Sequence, residues 1–258
     1  MKENTRLLSK SKINAFRDEG YLILEGILSE DEIAVFLKHE ENRTADRPKG
    51  LRRHTTDGIW RNLACHPRIA GVAEQLLDGP PRIVQTMYLA KPPATEAEAK
   101  GKGIALHQDS HYLPNEPNTL MACWVAMNDT DADNGGLCVV PGSHLGGLRS
   151  THPNADDDHI SWDKEQPMRD RNGREWMQRF YSFQIDGLQD SDIKRLTVPK
   201  GSVVFFTGMT IHGSFANQSR TRERLAFAVH YVKEGTWVFR TDVLDTVTVR
   251  ELPAAAKD

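Results

Sequence analysis

Apolar positions change their spacing near Pro81. Before it they recur every three or four residues, the period of a helix face. After it they come in short β-branched or aromatic blocks punctuated by Gly, Pro, Asn and Asp, as strands do. In the first part, "SKSKINAFRDEG" predicts a helix closed at Gly20, followed by a strand through Tyr21, Ile23 and Leu24. "LSEDEIAVFLKHEEN" predicts a second helix: Ser29 is an N-cap with Glu32 three residues on, a capping box, and Ile33, Phe36 and Leu37 share one face. "HPRIAGVAEQLLDGPP" predicts a third, stopped by Gly79 and the prolines. Beyond Pro81, "RIVQTMYLAK", "LMACWVAMN", "GLCVVPG", "KRLTVPKGSVVFFTG" and "ERLAFAVHYVKE" predict strands. Strands that follow one another without helices between them point to an all-β sandwich or barrel, with the helical residues 1–80 packed outside it.

One stretch departs from this pattern. Residues 149–184 are polar, acidic then basic, with scattered aromatics, and too long for an ordinary connection. Two readings stay open for it, a mobile lid over a site or a solvated insertion.

Composition narrows the class. A chain of 258 residues, 38% hydrophobic and 27% charged, suits a single domain over 1–258 with one well-buried core. A net charge of −3 argues against a nucleic-acid partner, which calls for a basic face. Cys65, Cys123 and Cys138 are widely spaced and form no CxxC pair, as expected of reduced thiols. No apolar run suits a bilayer span or a signal peptide, so the expectation is a cytoplasmic protein without a membrane partner.

Candidate chemistry begins at "IALHQDSHYLPN". On a strand, His107 and Asp109 point to one face and Gln108 to the other; His111 shares the parity of the pair. An imidazole and a carboxylate suit a divalent metal, although a lone His-x-Asp pair also occurs as a surface hydrogen bond. A third ligand is available at His212, after the apolar run Val203–Phe206 and the turn at Gly208. Two histidines and a carboxylate make the facial triad of non-heme Fe(II) oxygenases, which leaves coordination positions open for cosubstrate and O2. The cosubstrate 2-oxoglutarate needs a planar cation for its distal carboxylate. In "SRTRERLAFAVHYV", Arg224, Ala226, Ala228 and His230 share one strand face and Leu225, Phe227, Val229 and Tyr231 the other. Arg224 is the arginine placed at the strand's start; Arg220 and Arg222 fall in the preceding loop.

"LHQDSHYLP", "CWVAMNDTDADNGGLCVVPGSH" and "HGSFANQSRTRERLAFAVHYV" together resemble the phytanoyl-CoA dioxygenase family of Fe(II)/2-oxoglutarate oxygenases, over about Gln85 to Tyr231. The resemblance implies a double-stranded β-helix, a jelly-roll that is mainly β with flanking helices. It implies His107, Asp109 and His212 as iron ligands and Arg224 as the anchor of the 2-oxoglutarate C5 carboxylate, assisted by Ser214. It also implies Met87 and Trp124 in the cosubstrate pocket, with Asn134, Gly135 and the Pro141-Gly142 pair shaping the backbone and His144 structural. The spacing from His212 to Arg224 is one residue longer than the family's, which places an insertion in the Ser219–Glu223 loop; counted without it, the position would fall on Glu223, an anion. A further basic contact falls on Arg52 or Arg53. Because Asp109 is a carboxylate, the resemblance implies hydroxylation rather than halogenation.

The expected activity is therefore oxidation of a C–H bond of a small-molecule metabolite, with succinate and CO2 released. Trp60, Arg61, Tyr88, His111 and Tyr112 are candidates to reach that substrate, each with a plain structural reading beside it. Two other classes stay open: a β-sandwich binding protein without turnover, and a cupin-type metalloenzyme that does not use 2-oxoglutarate.

Overall fold

The computed structural model describes residues 7–41, 51–94, 102–154 and 159–249. The helices are α1 (Lys10–Glu19), α2 (Glu30–Glu41), α3 (Gly58–Ala64), α4 (Pro67–Leu77) and a single turn, α5 (Asp109–Tyr112). The strands, in chain order, are β1 (Tyr21–Leu24), β2 (Pro81–Lys91), β3 (Ile104–His107), β4 (Asn115–Glu116), β5 (Met121–Ala126), β6 (Leu137–Val139), β7 (Thr151–Pro153) and β8 (Asp163–Arg169). They continue with β9 (Glu175–Tyr181), β10 (Phe183–Ile185), β11 (Lys194–Arg195), β12 (Val203–Thr207), β13 (His212–Ser214), β14 (Arg224–Lys233), β15 (Trp237–Val238) and β16 (Val247–Thr248).

The predicted stop at Gly20 and the Ser29 box are present as physical caps, and the structure adds an N-cap at Ser9. The Ser9 hydroxyl accepts from the Lys12 amide at 3.3 Å, and Gly20, at φ 78°, donates its amide to the Phe16 carbonyl. The capping box forms at Ser29 and Glu32, with the Ser29 amide 2.8 Å from the Glu32 carboxylate. Helix α3 was not foreseen, although its cap was readable: the Asp57 carboxylate accepts from the Ile59 and Trp60 amides.

Two antiparallel sheets make a jelly-roll. The larger has the strand order β1-β12-β5-β14-β2-β16 and the smaller β11-β6-β13-β3. Alternation along the large sheet separates two cores. Tyr88, Val125, Phe205, Phe227 and Tyr231 point outward to Ile33, Phe36, Trp60 and Ile69 of the helices. Trp124, Phe206, Ala226 and Ala228 point inward, toward Leu137 and Val139 of the small sheet.

The segment 149–184 carries β7 through β10 rather than a featureless connection. Strands β8 and β9 form a hairpin anchored by buried Met168 and by the Trp237 indole donating to the Arg169 carbonyl at 2.8 Å. Residues 155–158 lie outside the described residues. Among the described residues, no helix is long and apolar enough to cross a membrane.

Candidate active site

Strand β3 ends at His107, and the chain turns at once into α5, so Asp109 opens a helical turn instead of continuing the strand. This corrects the expected strand geometry. Asp109 faces His107 because the chain bends, and His111 is carried out of the cavity to pack edge-on against Phe183 at 4.9 Å. Strand β13 lies beside β3 with His212 directly across from His107. A glycine must follow His212: a Cβ on Gly213 would stand 2.7 Å from the Ile104 carbonyl oxygen.

The two imidazoles are oriented from behind. His107 Nδ1 donates to the Ala105 carbonyl at 2.8 Å and His212 Nδ1 to the Thr210 carbonyl at 3.0 Å, which turns both Nε2 lone pairs toward Asp109. Asp109 Oδ1 is 3.5 Å from His107 Nε2 and 3.7 Å from His212 Nε2. One donor atom from each residue lies within 4.8 Å of the others. Burial lowers the His212 pKa to about 4 and so keeps its imidazole neutral, the form that ligates a metal. Burial alone would raise the Asp109 pKa. The surrounding imidazoles of His212, His230 and His107, with His230 Nε2 donating at 3.0 Å, instead hold the carboxyl well below its ordinary range. Two imidazoles and a carboxylate converging on one point fit an iron ion.

At the other end of the same face, Arg224 opens β14 directly opposite Lys91, the last residue of β2. Arg224 is buried and donates to the carbonyls of Gly135 and Leu89, at 3.3 and 3.2 Å. Lys91 donates to the Ser214 hydroxyl at 2.8 Å and to the Phe215 carbonyl. Among the described residues no carboxylate pairs with either cation. Like charges directly across a ladder are destabilising. Burial, reinforced for Lys91 by the Arg224 charge, lowers Arg224 to about 10 and Lys91 to about 6. A buried arginine and a buried lysine with no carboxylate paired to them among the described residues fit one carboxylate of an incoming ligand. Arg222 is occupied elsewhere, at the surface, by Asp131 at 2.7 Å and Asp133 at 2.9 Å.

Between the triad and solvent lies a cavity of roughly 390 Å³. Met87, Trp124, Ser214, Arg224 and Tyr112 line it, as do Trp162, Ser182 and Phe183 from the 149–184 segment. Besides His111, three more of the expected substrate residues are elsewhere. Trp60 and Tyr88 sit on the helix side of the large sheet, packed with Phe36 and Phe227, and the Trp60 indole donates to Glu40 at 2.6 Å. Arg61 braces a turn through the His54 and Thr55 carbonyls. Arg52 likewise reaches the Asp242 and Asp245 carbonyls rather than the cavity. His144 is structural, its Nε2 donating to the Arg17 carbonyl at 2.8 Å. The sequence reading missed Lys91, Gln85 and His230. The "LAKPP" lysine becomes visible only once β2 is set in register against β14.

A jelly-roll that brings two histidines and a carboxylate to one point has the facial-triad arrangement of the non-heme Fe(II) oxygenases. The model of the phytanoyl-CoA dioxygenase family matches residues 5–226. Peroxisomal phytanoyl-CoA dioxygenase of Mus musculus is 33% identical over 258 residues, covering 88% of this chain and 69% of that protein. Ectoine dioxygenase of Bordetella bronchiseptica is 29% identical over 257 residues, covering 89% and 77%. In fold, the chain resembles the epimerase SnoN, solved in complex with Fe3+, alpha ketoglutarate and nogalamycin RO, with a TM-score of 0.66 and 22% identity over 96% of this chain and 91% of that one. The chain belongs to the phytanoyl-CoA dioxygenase family. It is an oxidoreductase that uses iron, 2-oxoglutarate and O2.

Proposed function

We propose that the enzyme hydroxylates a C–H bond of an uncharged, largely apolar small molecule, releasing succinate and CO2. The observation that carries this reading is the distribution of charge in the cavity. Apart from the triad, the charged residues that line it among the described residues are Arg224, which is reserved for the cosubstrate, and Arg240. Arg240 is already engaged by the Asp242 carboxylate, at 3.0 and 2.6 Å, and by the Tyr112 carbonyl. The rest of the wall is mainly apolar, with Leu113, Tyr112, Phe183 and Trp162 inside, Leu51 and Ile160 exposed at the mouth, and the uncharged polar side chains of Gln85, Ser182 and Ser214. A carboxylate or phosphate drawn into such a chamber would lose its hydration without a partner.

In this reading His107, Asp109 and His212 hold the iron, and Arg224 with Lys91 holds the distal carboxylate of 2-oxoglutarate, aided by Ser214. Bound iron supplies the coupling of 2-oxoglutarate decarboxylation by O2 to oxidation of the substrate. The protein's part is to bind, aim and exclude water. Met87 and Trp124 wall the cosubstrate, and Phe206 packs on the His212 ring at 4.3 Å. The carboxylate at Asp109 occupies the position that a halide would need. Residues 149–184 act as a lid, supported by the way Trp162, Ser182 and Phe183 close one side of the chamber. Trypsin cleavage in the exposed β8–β9 turn should slow when iron, 2-oxoglutarate and substrate are present; unchanged cleavage would make the segment a fixed wall.

The test is a screen for O2- and 2-oxoglutarate-dependent succinate formation over neutral apolar, zwitterionic and CoA-linked compounds. The reading expects hits among the neutral apolar compounds and products one oxygen atom heavier. A product of unchanged mass, as in epimerisation, would overturn hydroxylation. Turnover confined to ectoine-like or CoA-linked compounds would overturn the substrate class.

A further inference from the structure

We infer that His230 is a positioning residue: it holds Asp109 to the metal through a single carboxylate oxygen, and Gln85 fixes the ring that does so. The inference rests on the His107–Asp109–His212 triad being the iron site. His230 lies on β14, six residues beyond Arg224 on the same inward face, and is buried. Its Nε2 is 3.0 Å from Asp109 Oδ2. A carboxylate oxygen can only accept, so Nε2 carries the hydrogen. The two carboxylate oxygens are thereby divided. Oδ1 faces the Nε2 atoms of His107 and His212, and Oδ2 is turned to His230.

The other ring nitrogen has a partner too. Gln85 is directly across the ladder from His230, and its amide nitrogen is 3.4 Å from His230 Nδ1. A donor at Nδ1 matches a ring whose proton is on Nε2. The register between β14 and β2 shifts immediately after this pair, between His230 and Tyr231. Such irregularities re-aim side chains beside active sites. His230 is not a fourth ligand: among the described residues, the group of donors that close around one point is His107, Asp109 and His212. Gln85 also lines the cavity, so the chain of hydrogen bonds runs from the substrate chamber to the metal carboxylate.

The experiment measures metal binding, not turnover. Mn(II) affinity is read by electron paramagnetic resonance on the full chain, and coordination by the visible spectrum of the Co(II)-loaded protein, for wild type, His230→Phe, His230→Gln and Gln85→Leu. Circular dichroism and the thermal midpoint of metal-free protein report folding; His230→Met replaces His230→Phe if the larger ring is not accommodated. His230→Phe should weaken Mn(II) binding about 10–100-fold. It should also shift the Co(II) spectrum toward higher coordination, because Oδ2 is released to the metal. His230→Gln, which keeps a donor within reach of Oδ2, should restore most of the affinity and the wild-type spectrum. Gln85→Leu should fall between them. Wild-type affinity and spectrum in His230→Phe would overturn the inference. Equal losses in His230→Phe and His230→Gln would also overturn it, since shape and not the hydrogen bond would then matter. Tight Mn(II) binding by Asp109→Ala would instead overturn the triad on which the inference rests.

Discussion

The two faces of β14 solve opposite problems with alternate residues of one strand. Outward, Leu225, Phe227, Val229 and Tyr231 fill space against the helices; Phe227 alone meets the rings of Phe36 at 5.2 Å and Trp60 at 5.4 Å. Inward, Ala226 and Ala228 leave space, and the strand ends that space with Arg224 on one side and His230 on the other. Packing density is the property of the first face, and placed charge in a void is the property of the second. The outer face therefore tolerates loss of a polar group and suffers from loss of volume, while the inner face behaves the other way round.

The sharpest separation comes from His212→Ala. Succinate formation should be lost altogether, while the thermal midpoint of the metal-free protein stays close to wild type; retained turnover would remove His212 from the site. Phe227→Ala is the mirror experiment. It should cost about 3–5 kcal/mol in chemical denaturation, as large-to-small changes in closed cores do, while turnover per folded molecule persists. An intact protein with damaged turnover would erase the distinction between the faces.

Arg224→Ala should raise the apparent KM for 2-oxoglutarate on the order of a hundredfold, the equivalent of roughly 2–3 kcal/mol, and Arg224→Lys should recover only part of it. Arg222→Ala, at the surface, should change it little. If the two arginines exchange effects, the cosubstrate anchor moves with them.

Lys91 adds a pH signature. Burial and the Arg224 charge hold its pKa at about 6 in the free enzyme, and the neighbouring Cys138 thiol, pushed up to about 11 by burial, stays neutral. A bound carboxylate favours the ammonium form, so its pKa rises in the complex. Affinity for 2-oxoglutarate is then fullest below pH 6. It weakens as pH rises above 6, by up to about tenfold per unit, until the raised pKa of the complex is reached. Lys91→Met should flatten that slope and raise the Kd on the order of tenfold near pH 6, less at higher pH. An unchanged slope would remove Lys91 from the binding site. The smallest effect concerns the thiols: Cys123, buried in β5 with its pKa raised by burial, should resist a thiol reagent in the native state, and prompt labelling would contradict its place in the sheet.

What the sequence reveals follows from which contacts are local. Caps at Gly20 and Ser29 are legible because every atom involved lies within a few residues. The alternation of β14 is legible for the same reason, and with it the start of the strand at Arg224. Met87 and Tyr88 were both expected at the site, yet neighbours on a strand point to opposite faces, so only one of them lines the cavity. The Lys91–Arg224 and Gln85–His230 pairs join residues more than a hundred positions apart. No local pattern encodes a register of that kind. The bend after His107 is likewise tertiary: the buried Gln108 amide ties it to the carbonyls of Gly147 and Met209.

The facing cations carry a consequence for the life of the protein. An anion that neutralises Arg224 and Lys91 binds only the folded chain, and by mass action it adds about 2.7 kcal/mol of stability at a hundred times its dissociation constant. The cosubstrate is in that sense part of the scaffold. A bound cosubstrate would hold the protein further from unfolding and so slow its loss to proteolysis. Titrating metal-free wild type with 2-oxoglutarate should raise the thermal midpoint, and the same titration of Arg224→Ala should leave it flat. A flat wild-type titration would dissociate the cosubstrate from folding.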